Sequence, residues 1–195
     1  GVMIINKSNF SVALSAGLLL AAVCSQAAAA VESSSAPAAA PAGATPMTAD
    51  QRAAARAAAK ERSANTAFNM APLINPNTAT REQLAAIPGM TAARVQAVLA
   101  GRPFATPSAL HAAIGKGMTD AERFQVYSAM FVKVNLNTAK SADFELVPST
   151  MPPARLVREF EEYRPYKSMT DFSREMKKYV SDKEVAFLER LVTIN

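Results

Sequence analysis

Four short turns in this 195-residue chain combine hydroxyl, basic and, in two cases, glycine residues just ahead of a helix-forming stretch. A turn that runs into a helix start presents successive backbone N–H groups beside the positive end of the helix dipole, which is a site for an anion such as a phosphate. Glycine suits the turn because the backbone can then approach the anion with no Cβ in the way. The first turn, Pro88-Gly89-Met90-Thr91-Ala92-Ala93-Arg94, has a leading glycine, a capping Thr91, no acid in the following helical turn, and Arg94 one turn in. It ranks first as a phosphate site. The second, Gly115-Lys116-Gly117-Met118-Thr119, has backbone freedom and a lysine at its tip. Asp120 and Glu122 fall in the next helical turn, however, where carboxylates take the positive end of the dipole, and Lys116 only partly offsets them. The third, Pro148-Ser149-Thr150-Met151-Pro152-Pro153-Ala154-Arg155, lacks glycine and loses N–H donors to two prolines. The fourth, Lys177-Lys178-Tyr179-Val180-Ser181-Asp182-Lys183-Glu184, reads as a capping box with acids in its first turn.

Other chemistries find no residues to carry them. Cys24 and His111 are the only cysteine and histidine, so no zinc cluster, disulfide or Cys–His pair can form within the chain. No carboxylate pair and no nucleophile with an adjacent base stands out. The reading is a binding protein rather than an enzyme, with no cofactor, no metal and no small-molecule substrate.

The elements that must position these turns come in two copies. Ile74-Asn75-Pro76-Asn77-Thr78-Ala79 recurs as Val134-Asn135-Leu136-Asn137-Thr138-Ala139, and the match continues through Leu84 and Phe144, Ile87-Pro88 and Val147-Pro148, and Arg102-Pro103-Phe104 and Arg164-Pro165-Tyr166. The third turn carries one inserted residue relative to the first. Copy one spans 72–133 and copy two 134–195. Within copy one, Asn77 or Thr78 can cap a helix running to about Ile87, with Leu84 and Ile87 inward. A second helix from about Thr91 turns Val95, Val98 and Leu99 to the core and stops near Gly101. A third opens at Pro107-Ser108, and Thr119 opens a fourth by a capping box. The fold class is therefore all-α. The asparagines read as caps and turn closers, Phe104 and Tyr166 as core, His111 as ordinary surface, and Tyr163 and Tyr179 as surface residues open to a partner. Copy one holds six Lys/Arg against three Asp/Glu, and copy two ten against ten, so copy one carries the positive charge.

The run from Ile74 to Ala79 with Leu84-Ala85-Ala86-Ile87-Pro88-Gly89-Met90-Thr91 and Ala93-Arg94-Val95 resembles the opening of the ComEA-type helix-hairpin-helix domains of competence proteins. The resemblance covers about residues 72–195, with Thr91 where the family places a second glycine, and with copy two degenerate. It implies tandem helix-hairpin-helix domains and binding of double-stranded DNA without sequence preference, often in DNA uptake. The residues read as contacting the DNA backbone, from the first two turns, are Gly89, Met90, Thr91, Arg94, Lys116 and Gly117. A second reading stays open, a degenerate scaffold whose copy two contacts an envelope protein or another copy of the chain.

Residues 1–30 combine Lys7, an apolar run from Phe10 to Val23 and the tract Ala27–Ala30, the three-part pattern of a signal peptide. The expected location is therefore periplasmic or secreted. Residues 31–71 read as an Ala/Pro-rich linker, with a solvated helix over 48–64 that has no large apolar stripe to dock it and four basic side chains. Mass spectrometry of the exported protein should find a chain that starts between Ala29 and Glu32, with no lipid on Cys24; a diacylated Cys24 would mean a membrane tether instead.

Overall fold

Each copy is built around the same polar clamp. At its opening, the Asn75 side-chain carbonyl accepts the Asn77 N–H at 2.9 Å, and Asn135 accepts that of Asn137 at 2.9 Å. The second asparagine of each pair then faces a distant backbone segment. Asn77 accepts the Phe104 N–H at 2.7 Å and donates to its carbonyl at 2.9 Å, while Asn137 does the same with Tyr166 at 2.8 and 3.0 Å. Arg102 completes the clamp by donating to the carbonyls of Pro76 and Ala79 at 2.5 and 2.6 Å, and Arg164 to those of Leu136 and Ala139 at 2.5 and 2.7 Å. The asparagines therefore tie the opening turn to the segment after the second helix, rather than capping the first.

The computed structural model describes residues 47–194, so the signal-peptide reading of 1–30 and the linker up to residue 46 lie outside the described residues. Helices dominate what is described. Copy one contains α2 (Arg81–Ala85), α3 (Ala92–Gly101), α4 (Pro107–Ile114) and α5 (Asp120–Ala129). Copy two contains α6 (Ser141–Phe144), α7 (Pro153–Glu162), α8 (Met169–Met176) and α9 (Asp182–Glu189). A further helix, α1 (Ala49–Asn65), precedes both. The cap of α2 is Thr80, through a capping box with Gln83, so this helix is shorter and starts later than the Asn77 or Thr78 reading puts it. Thr91, Thr106 and Thr119 cap α3, α4 and α5.

Each copy also closes on itself. Ile74 forms a parallel bridge with Met130, and the two-residue strand β1 (Val134–Asn135) pairs in parallel with β2 (Val192–Thr193). Inside, the inward positions expected from helical spacing are buried, Leu84, Ile87, Val95, Val98, Leu110, Ile114, Phe104 and Tyr166, except Leu99, which is half-buried against the core. The two cores differ in kind. Copy two stacks Phe144, Phe160, Phe172 and Tyr166 edge to face with centroids 5.1–5.8 Å apart, where copy one has Leu84, Leu99, Leu110 and Phe104. Edge-to-face rings each add about 0.5–1.5 kcal/mol beyond the area they bury.

The segment before residue 72 is part of this core. Phe68 is buried, stacked on Phe187 of α9 at 4.8 Å and 6.3 Å from Phe124 of α5. As expected, α1 is solvated over most of its length, but its last turn docks on copy two through Ser63, which is buried. A hydroxyl pair does here what an apolar stripe would otherwise do. His111 is half-buried, with Nδ1 2.7 Å from the Tyr127 hydroxyl, and burial pushes its pKa down. Tyr163 and Tyr179 bond each other hydroxyl to hydroxyl at 2.8 Å; Tyr179 is buried and Tyr163 half-buried, so the pair is less exposed than surface residues would be. No helix among the described residues is long and apolar enough to cross a membrane.

Replacing either clamp asparagine strands a backbone N–H and a carbonyl. Asn77→Ala and Asn137→Ala should each lower unfolding free energy by about 2 kcal/mol in urea titrations. A near-zero loss at either site would show that water replaces the clamp there.

Candidate nucleic-acid interface

The first hairpin follows from Gly89. Its φ is +87°, a left-handed conformation that side chains oppose, and a Cβ there would lie 3.1 Å from Val126 Cγ2. The turn closes by a hydrogen bond from Met90 N–H to the Ile87 carbonyl at 3.1 Å. Thr91 then caps α3 by accepting the Arg94 N–H at 3.2 Å, and its carbonyl accepts Val95 N–H at 2.9 Å. Ala92 and Ala93 are exposed, and among the described residues their N–H groups meet no acceptor. Two free amides at a helix start, beside a turn with no side chain at its bend, are what a phosphate oxygen requires.

Arg94 sits at this hairpin but does not face solvent. Its Nη1 donates to the Gly89 carbonyl at 2.6 Å and to Glu122 Oε1 at 3.3 Å, and only 13% of its side chain is exposed. Three residues into a helix, a long side chain reaches back to the preceding turn. In this position Arg94 braces the hairpin against α5. Met90 is half-buried against the core, and Thr91 is exposed.

The second hairpin feeds the same region. Gly117 has φ +73° with nothing within 4 Å of where a Cβ would lie, and Lys116 is exposed, with no hydrogen bond or ion pair among the described residues. Glu122 accepts the Thr119 N–H at 2.9 Å, and that bond, followed by the Arg94 guanidinium, holds its carboxyl below the usual range. The structure therefore brings Gly89, Thr91 and Arg94 together with Glu122, while Lys116 and Gly117 form a separate open tip.

The two hairpins of copy two are occupied from within. Glu184 is fully buried, and its carboxylate accepts the Ser149 hydroxyl at 2.6 Å, the Thr150 N–H at 2.8 Å and the Thr150 hydroxyl at 2.5 Å. An internal carboxylate stands in the third hairpin where an outside anion would sit. In the fourth, the Ser181 N–H donates to Ser63 Oγ at 2.8 Å, and the two hydroxyls lie 2.7 Å apart. The expected capping box is thus only half made: Ser181 accepts Glu184 N–H at 3.3 Å, but Ser63 takes the amide that the Glu184 carboxylate would otherwise hold. That frees Glu184 to reach the third hairpin.

Sequence reasoning misses Glu184, Ser63 and also Asp143, a buried acid of copy two that accepts the Ser108 N–H at 3.0 Å and hydroxyl at 2.6 Å. Nothing local marks them, because each acts on a residue 35 or 118 positions away. Across the described helices, α3, α4 and α7 start without an acid in the first turn. Asp143 covers the start of α4, and Pro152 and Pro153 deprive α7 of donors. The start of α3 is left. Among the described residues no three of His, Cys, Asp and Glu are placed to hold a metal ion. No protein-family model, no curated protein and no solved structure matches this chain.

The three donors on Glu184 make it a stability element. Glu184→Ala should cost about 3 kcal/mol in chemical denaturation, since hydroxyl and amide donors are left buried. Glu122→Ala, whose carboxylate is partly exposed, should cost clearly less; equal losses would mean that the third hairpin opens to water at little cost.

Proposed function

We propose that this chain is a non-catalytic, exported protein that binds double-stranded DNA without sequence preference, through a helix-hairpin-helix of copy one, in the manner of the ComEA-type domains it resembles. One observation carries the reading: α3 alone among the described helices starts with no acid of its own, no proline and no acceptor on its first free amides, and the Glu122 carboxylate that α5 brings to this hairpin is held by Arg94 and the Thr119 amide. The glycine at the bend, with φ +87°, lets a phosphate approach those amides closely. Such contacts give affinity without base information, and affinity that falls steeply with salt. Lys116 and Gly117, at the open tip of the second hairpin, supply further backbone and charge contacts. Arg94 holds the first hairpin in shape. The pattern of residues 1–30 supports a periplasmic or secreted location, where DNA uptake is the process the resemblance brings with it.

Copy two takes a structural part in this reading, because its own hairpins are filled by Glu184 and Ser63. The same occupancy favours the rival reading, a scaffold for an envelope partner or for self-association.

An acid placed at the start of α3 separates the two. Ala93→Glu puts a carboxylate where the phosphate is to sit, and it leaves the helix at least as stable, because an acid suits the first turn. Ala100→Glu, at the other end of α3, is the control with the same net charge. Titrated with duplex DNA at low and moderate salt, Ala93→Glu should bind at least about tenfold more weakly than Ala100→Glu, a difference of roughly 1.4 kcal/mol. Equal binding by the two variants overturns the α3 site, and no duplex binding by the parent at low salt leaves the scaffold reading in its place.

A further inference from the structure

Among the described residues the four cations of α1, Arg52, Arg56, Lys60 and Arg62, make no ion pair, whereas in copy two Arg155, Arg158, Arg174, Lys177 and Lys178 each lie against a carboxylate. The helix that carries these cations, with Asp50 and Glu61 against them and so a net charge of +2, is held in place. Ser63 is buried on Ser181, Lys60 donates to the Lys177 carbonyl at 3.3 Å, and Lys183 donates to the Thr66 carbonyl at 2.9 Å. Arg56 lies 5.8 Å from the centre of the Tyr179 ring, and Arg155 lies 5.1 Å from the same ring. Arg52, Arg56 and Lys60 follow one another at four-residue spacing, which aligns them along one side of the helix next to the docked edge. The remaining exposed surface of α1 is mostly alanine. It has no Leu, Phe or Trp of the kind that a helix lying in a membrane surface inserts, and no aromatic anchor of the kind that dominates protein interfaces.

We propose that α1 is a second phosphate-contacting element, which gives copy two the positive surface that its own balanced charges do not provide. The proposal rests on the duplex-binding reading above and extends it to a new part of the chain. Its partner is the duplex backbone, met by long basic side chains instead of hairpin amides. Docking of α1 thus closes the fourth hairpin and, at the same place, replaces it with cations.

The test uses the full chain and the salt dependence of duplex binding. Arg52→Gln/Arg56→Gln/Arg62→Gln keeps Lys60 and Ser63 for docking, and glutamine keeps the helix propensity. The triple variant should flatten the log–log salt slope by about 2 to 3, at ~0.9 for each phosphate no longer neutralised, with the thermal midpoint lowered only slightly, by loss of the Arg56 contact with the Tyr179 ring. Ala55→Lys, which adds a cation beside Arg52 and Arg62, should steepen the slope by about 1. If the parent binds duplex and the triple variant binds with the same slope, the proposal is wrong and the α3 reading stands. If the parent binds no duplex at low salt, both fall together. Binding to anionic phosphatidylserine vesicles that the triple variant loses, with duplex binding intact, would overturn it in favour of a membrane contact.

Discussion

Every short helix begins with N–H groups that its own ladder cannot satisfy, and in this chain the acceptor that satisfies them decides what the helix can do. Short helices are nearly all ends, so eight of them, α2 to α9, among the described residues make this demand a constraint on the whole fold. Most meet it with a capping hydroxyl, to which α5 adds an acid of its own in the Thr119–Glu122 capping box. Others borrow an acceptor from afar, such as Asp143 at α4 and Ser63 at the turn before α9. Each borrowed acceptor is also a tertiary bond, so satisfying the ends and assembling the fold are one process. A helix start left unsatisfied is then the place where an outside anion can compete on favourable terms.

The two copies meet this constraint differently while sharing a frame. The Asn–Arg clamp is the same in both, down to bond lengths that differ by at most 0.1 Å between equivalent contacts. Around it, copy one keeps a bare first hairpin, while copy two stacks Phe144, Phe160 and Phe172 edge to face and folds a hairpin around Glu184. Stability and availability pull in opposite directions here. The carboxylate that satisfies the third hairpin also removes it from external chemistry.

Much of this organisation was legible in the chain itself. The 60-residue repeat, the helical spacing of Leu84, Ile87, Val95 and Val98, the cap at Thr119 and the burial of Phe104 and Tyr166 all depend on residues near one another or on direct self-comparison. Asn77 and Asn137 read locally as caps because asparagine often is one, and only the fold reveals that each grips a backbone segment 27 or 29 residues on. Arg94 shows the same limit at the candidate site. Its position one turn into α3 suits a phosphate contact, yet that position also lets it reach the Gly89 carbonyl and Glu122. The docking of α1 was illegible because two serines, which carry no hydrophobic signal, make the contact.

The parallel pairing of each copy's opening with its own closing segment, Ile74 with Met130 and Val134 with Val192, gives each repeat a private seam. A duplicated unit sealed in this way needs no strand from its sibling to be complete. The copies are joined instead by side chains, such as Asp143 on Ser108, and not by a shared strand. Each seam thus lets one copy keep a bare first hairpin while the other folds its own around Glu184.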